Sequence, residues 1–363
     1  MTKRGTINSF QLFAILFLCR IIALFTYIIP TKTELTSGDK PLKMLPFLII
    51  CLIASIPAFM LLGRGNSGGV IGRANSVSPL FGKATGIFYA AVFLWTASVN
   101  VARFELFVST VMFSEANMDI LTVILLVLAV FTAVKGIEAM GRGSVIILFL
   151  LTASVIFIVI SVIENFEFMN LEPPAYYGLT PMLDDAFAGA TRTMEIATLL
   201  VASGFTDGKI KKGAVMWIAT FSLCAFFIFT VIYGVTGEYG EQQMFQLYTL
   251  TVLARFGIFE RMDDAIIGIW VLCALIKTAF YIFLAGECLK ESFSVKPDKK
   301  IYAAFSIVIM LVYLRIARTI TEFSDIMGHT AIDVLFVVAT VAVPLAVFII
   351  YKIKSRREGA TAQ

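Results

Sequence analysis

The chain has 363 residues, of which 59% are hydrophobic and 15% charged, and its formal net charge at pH 7 is +4. A soluble domain needs more polar surface than this to cover its core, so a soluble globular class is excluded. Unbroken apolar runs long enough to cross a bilayer recur from end to end, which leaves no room for a separate soluble domain and excludes a barrel of short alternating strands.

The expected class is an all-α integral membrane protein with about ten transmembrane helices, forming one polytopic domain over 1–363. Residues 10–29 open the series. Lys3 and Arg4 precede the apolar stretch as in a signal peptide, but no small-x-small cleavage site follows. The run is long enough to span and reads as a retained first helix. Further spans are expected near 44–62, 84–113, 119–134, 144–163, 183–205, 214–235, 264–288, 301–317 and 331–351. The third is longer than a bilayer needs, which implies tilt or a protruding end. Ten helices admit a division into two inverted five-helix halves, about 1–163 and 183–351, because an odd number per half turns the second upside down.

Two connections are long. Residues 164–182 read as an irregular segment around Pro173 and Pro174, and 236–263 include a semi-apolar stretch, 242–259, that fits an interfacial or re-entrant helix. A functional lid and a helix that merely rests on the surface both account for such segments. With the N-terminus inside, eighteen Lys and Arg fall in inside segments, seven outside and four within spans. The positive-inside rule then puts both termini in the cytoplasm. Acidic residues such as Glu164, Glu167, Glu172, Asp184 and Asp185 crowd the outside. The basic excess faces anionic lipid, and nucleic acid is not an expected partner.

Charges inside the spans are the sharpest functional signal. A central Arg, Lys or Asp costs on the order of 3 kcal/mol on insertion scales, so such residues face a cavity or a partner. Arg20 sits mid-way along the first span; it either clamps a substrate carboxylate or pairs with Glu105 or Glu195. In the third span Asn100 and Arg103 share a helix face, whereas Glu105 points elsewhere, so Arg103 and Glu105 serve different neighbours. A polar pathway and helix–helix glue are equally compatible with them. Arg192 and Glu195 in the sixth span have the i, i+3 spacing of an ion pair on one face. The small and turn-forming residues 202–208 that follow mark an unwound helix or a plain helix end. Lys277 lies near the centre of the eighth span. It either stands in for a bound cation and carries a proton or pairs with Glu105, Glu195 or Glu287.

Other signals carry little. Cys19, Cys51, Cys224, Cys273 and Cys288 form no CxxC pair, and His329 is the only histidine. Small apolar core residues explain the cysteines, and no metal, cofactor or histidine triad is expected. Residues 63–68 match GxGxxG, but they follow a membrane span instead of a strand, and no GxxxxGK[ST] exists. With no motif for a nucleophile, base or metal, an enzyme is not expected.

The opening Ile7, Asn8, Ser9, Phe10, Gln11, the run from Phe259, Glu260 and Arg261 through Trp270, and the later Leu289, Lys290, Glu291, Ser292, Phe293 resemble the spore germination permease family. These proteins are the B subunits of nutrient germinant receptors and are similar to amino acid–polyamine–organocation transporters. The resemblance implies a five-plus-five inverted repeat, the bacterial cell membrane (spore inner membrane) as location, A and C receptor subunits as partners, and an amino acid or similar nutrient held between the first, third, sixth and eighth helices. Arg20, Asn100, Arg103, Glu105, Arg192, Glu195 and Lys277 are then the candidate substrate-binding residues. The chain departs from its relatives at 19–24, where small Gly-rich residues are replaced by bulky and charged ones. Three functions follow: a receptor subunit that senses a small nutrient, a proton-coupled amino acid or organic-ion transporter with Glu105 or Glu195 as proton carrier, and a scaffold that has lost its ligand.

Overall fold

The computed structural model describes residues 5–25, 34–62, 69–112, 118–254, 263–295, 298–316 and 319–361. Residues 63–68 and 255–262, with the GxGxxG match and the start of the Phe259 to Trp270 run, lie outside the described residues. Among the described residues the long apolar runs are helical, because a backbone in hydrocarbon has to satisfy its own N–H and C=O groups. In chain order the helices are α1 (Ser9–Phe25), the one-turn α2 (Asp39–Leu42), α3 (Met44–Leu61), α4 (Val70–Val77), α5 (Pro79–Val111), α6 (Met118–Lys135), α7 (Ile137–Val162) and α8 (Thr180–Thr191). They continue with α9 (Glu195–Ala202), α10 (Ile210–Gln242), α11 (Gln246–Leu253), α12 (Asp263–Phe293), α13 (Lys299–Ile316), α14 (Ile320–Met327), α15 (Thr330–Val337) and α16 (Val343–Thr361). A π segment, Val338–Ala342, joins the last two into one span.

Among the described residues, six helical stretches are long and apolar enough to cross a membrane unaided, or seven if the bent pair α13 and α14 is one span. Three more predicted spans, α1, α6 and α13, run 17 to 18 residues, close to the minimum of about 17 for a crossing. The predicted span at 183–205 is corrected: it is two helices, α8 and α9, separated by the non-helical Arg192, Thr193 and Met194. The stretch 202–208 ends that span as a 3-10 turn, Ser203–Phe205, and a two-residue strand. The semi-apolar stretch near 242–259 contains α11, whose Leu247 and Leu250 are buried.

The helices pack as two interleaved sets. α5 runs along α12 at the centre, and α13 lies on α5 as α6 lies on α12. Likewise α10 packs on α1 as α3 packs on α8, and α7 packs on α1 as α15 packs on α8. Each contact recurs with its members exchanged five spans along the chain, the pattern of a five-plus-five inverted repeat. The eight-residue α4 and α11 fill the same place in each set, between its second and third spans. α5 and α12 bury 67% and 72% of their most apolar windows, against 22% for α7, so the first pair forms the core and α7 faces lipid.

Both ends of the bundle are tied. At one end strand β1 (Ile7–Asn8) pairs in parallel with β2 (Thr206–Asp207), joining the start of α1 to the end of α9. At the other end the 163–179 connection lies across α2 and α10. The Ala175 N–H donates to Asp39 Oδ1 at 2.7 Å, Ser37 Oγ donates to the Asn170 carbonyl at 2.9 Å, and the Asn170 amide donates to the Gly234 carbonyl at 2.9 Å. Gly38 is required there, since a Cβ would strike the Glu172 carbonyl.

Candidate ligand-binding site

The break in the sixth span organises the site. A helix that ends inside hydrocarbon leaves carbonyls without partners, and each costs several kcal/mol unless something donates to it. Arg20 of α1 supplies the donors: Nη1 donates to the Arg192 carbonyl at 3.2 Å and Nη2 to the Gly189 carbonyl at 3.1 Å. A cation is also the charge that the C-terminus of a helix favours. The guanidinium is held between the Phe47 and Phe221 rings at 5.4 and 5.3 Å from their centroids, a desolvated cation–π arrangement. No carboxylate among the described residues meets Arg20 within ion-pair distance, so the expected alternatives of Glu105 and Glu195 as its partner do not occur.

Arg192 and Glu195 do not pair either. The i, i+3 rule needs a continuous helix, and the break falls between them. Arg192 donates instead to the Ala188 carbonyl and, from Nη2 at 3.1 Å, to the Met327 carbonyl of α14. Glu195 is 1% exposed and its Oε1 accepts from Lys277 Nζ at 2.9 Å. The same ammonium donates to the Cys19 carbonyl of α1 at 2.7 Å. Lys277 thus bridges α1, α9 and α12, and of the pairings open to it in the sequence the structure selects Glu195.

On α5 the neighbours diverge as helix geometry requires. Asn100 Nδ2 donates to the Ala274 carbonyl at 3.0 Å and to Thr278 Oγ1 at 2.8 Å, which binds α5 to α12. Glu105 lies away from the site, with Asp119 of α6 and Tyr313 of α13 as its electrostatic neighbours. Arg103 makes no hydrogen bond and no ion pair among the described residues, and its Nε is buried without a partner. It senses Arg20 and Arg192 as like charges and Glu195 as the opposing one.

Two cavities meet at Arg103 and Arg192. The larger, about 110 Å³, has Arg20, Arg103, Arg192, Lys43 and Asp185 in its wall together with Phe47, Phe221 and other apolar groups. The smaller, about 40 Å³, extends past Arg103 to Asn100, Lys277 and Trp95. Of the seven residues singled out in the sequence, Arg20, Asn100, Arg103, Arg192 and Lys277 line these spaces; Glu195 stands behind Lys277, and Glu105 is elsewhere. Sequence reasoning missed Lys43 and Asp185, which form an ion pair at 2.5 Å, because both read as loop charges at span ends. It also missed Asp333, which accepts from Thr191 Oγ1 at 2.5 Å beside the break.

This fold is that of a transporter-like membrane protein. The structure superposes on Mhp1, a nucleobase-cation-symport-1 family transporter in a closed conformation with bromovinylhydantoin bound, with a TM-score of 0.57 at 13% identity, over 93% of this chain and 78% of that one. A Na⁺-coupled sialic acid symporter in a substrate-bound outward-open state gives the same TM-score and identity, over 93% and 79%. No curated protein matches the chain in sequence. The family model for spore germination proteins matches residues 6–321, and the chain belongs to that family. It is therefore a transporter-like membrane subunit of a germinant receptor, and its family and fold are those of permeases, not enzymes.

Proposed function

We propose that the subunit binds a small carboxylate-bearing nutrient, an amino acid or a similar molecule, in the cavity at the broken sixth span. One observation carries this reading: the Arg103 guanidinium lines both cavities and, among the described residues, makes no hydrogen bond or ion pair, with its Nε buried and unpartnered. A buried cation without a partner is costly, and a carboxylate gripped by a guanidinium fork removes that cost. The walls come from α1, α3, α5, α8 and α10, which belong to both interleaved sets. A ligand that prefers one arrangement of those sets shifts the balance between them, and that differential affinity is the signal a receptor subunit passes on. The reading places the protein in the spore inner membrane with cytoplasmic termini and with A and C receptor subunits as its partners.

Spores lacking the gene test it. Loss of germination in response to one nutrient, with nutrient-independent triggers intact, is the expected result. Normal germination with reduced uptake of labelled amino acid by growing cells would overturn the receptor role in favour of transport.

A further inference from the structure

The same site discriminates between two kinds of carboxylate. Five cations line the two cavities (Arg20, Lys43, Arg103, Arg192 and Lys277) against a single carboxylate, Asp185, which is already paired with Lys43. Among the described residues the next acidic groups, Glu195 and Asp333, are not in the walls; Glu195 Oε1 accepts from Lys277 and Asp333 Oδ1 from Thr191, and Glu195 Oε2 is buried without a partner. Six backbone carbonyls around the break also carry donors. The Gly189 and Arg192 carbonyls accept from Arg20, the Ala188 and Met327 carbonyls from Arg192, the Cys19 carbonyl from Lys277, and the Ala274 carbonyl from Asn100. An ammonium group has three donors and no acceptor. These six carbonyls already face a positive or amide donor, and the guanidinium groups beside them repel an ammonium.

The geometry points to an organic anion without an ammonium group, a small aliphatic carboxylate, as the ligand. Its acid group meets Arg103 and the free Nε of Arg20. Its hydrocarbon part lies against Ala23, Met44, Phe47 and Phe221. The inference rests on the carboxylate site proposed above and narrows it by excluding zwitterions.

Matched pairs of labelled probes that differ only in the amino group test it: propionate and L-lactate against L-alanine, and 4-methylpentanoate against L-leucine. Saturation binding is measured on the full chain purified in detergent or in nanodiscs, with Arg103→Met alongside. We expect a des-amino member to bind at least tenfold more tightly than its amino acid, and Arg103→Met to lower that binding at least tenfold. Equal or tighter binding of the amino acids would overturn the exclusion of zwitterions and leave the carboxylate site standing. Des-amino binding that Arg103→Met does not alter would place the ligand elsewhere and overturn both. Binding by no probe would likewise remove the site together with the inference.

Discussion

At the residue scale the three arginines of the site are chemically unequal. Arg20 spends two nitrogens on the end of α8, and charge-assisted hydrogen bonds contribute about 1.5–3 kcal/mol each. Arg20→Met is therefore expected to lower unfolding stability by several kcal/mol and to leave the α8 carbonyls bare. Arg103 makes no such bonds among the described residues, so Arg103→Met is expected to be neutral or stabilising while removing ligand binding. Thermal unfolding of the two purified variants, followed side by side, checks the contrast; equal losses would contradict it. Lys277 and Glu195 are the converse case. Removing one member of a buried pair leaves an uncompensated charge and costs roughly 3–5 kcal/mol, whereas replacing both with apolar groups is close to neutral. Lys277→Met and Glu195→Leu should each unfold well below the parent, and the double variant should recover most of the loss. Additive losses would mean the pair is not the unit that the 2.9 Å contact implies.

At the element scale the broken span and the tied ends matter most. The Arg192 to Met194 break was not legible in the sequence, because Arg192 and Glu195 at i, i+3 read as a pair on one continuous helix face and no Pro or Gly falls within those three residues. The break is stabilised by a cation contributed from α1, some 170 positions earlier. The charged position in the stretch at 19–24, a departure from relatives when read alone, acquires its reason here: Arg20 caps the end of α8 at the break in the sixth span. The 163–179 connection is pinned by Ser37, Asp39 and Gly234. Gly38→Ala should displace it, since the added methyl meets backbone at Glu172 and backbone cannot give way as a flexible side chain can. Amide hydrogen exchange across 164–178 is expected to accelerate markedly in this variant and to stay slow around β1 and β2. Unchanged protection over 164–178 would show that the connection tolerates the methyl.

At the scale of the whole molecule the inverted arrangement predicts which surfaces face which compartment. With cytoplasmic termini the 163–179 connection is external and the start of α10 is internal. In intact cells a membrane-impermeant thiol reagent should label Tyr177→Cys and spare Lys211→Cys, a residue beside the strand pair at the opposite end. Tyr177 is 53% exposed, so its failure to react would mean that the orientation is reversed. The native cysteines that are buried, Cys19, Cys51, Cys273 and Cys288, lie inside the bundle and give little background.

What the sequence determined alone was the helical membrane class, the segments that cross, the charge asymmetry between the two faces and the short set of charges that belong inside. All of these follow from the cost of placing polar groups in hydrocarbon, which is paid residue by residue and needs no knowledge of neighbours. Only the tertiary structure decided which charges pair, where the sixth span breaks and which guanidinium is left over. Glu195 could reach Arg192 on an unbroken helix, and Lys277 had three acidic candidates. The choice among them was made by helices distant in sequence, through contacts of a few ångströms that hydropathy and spacing do not encode.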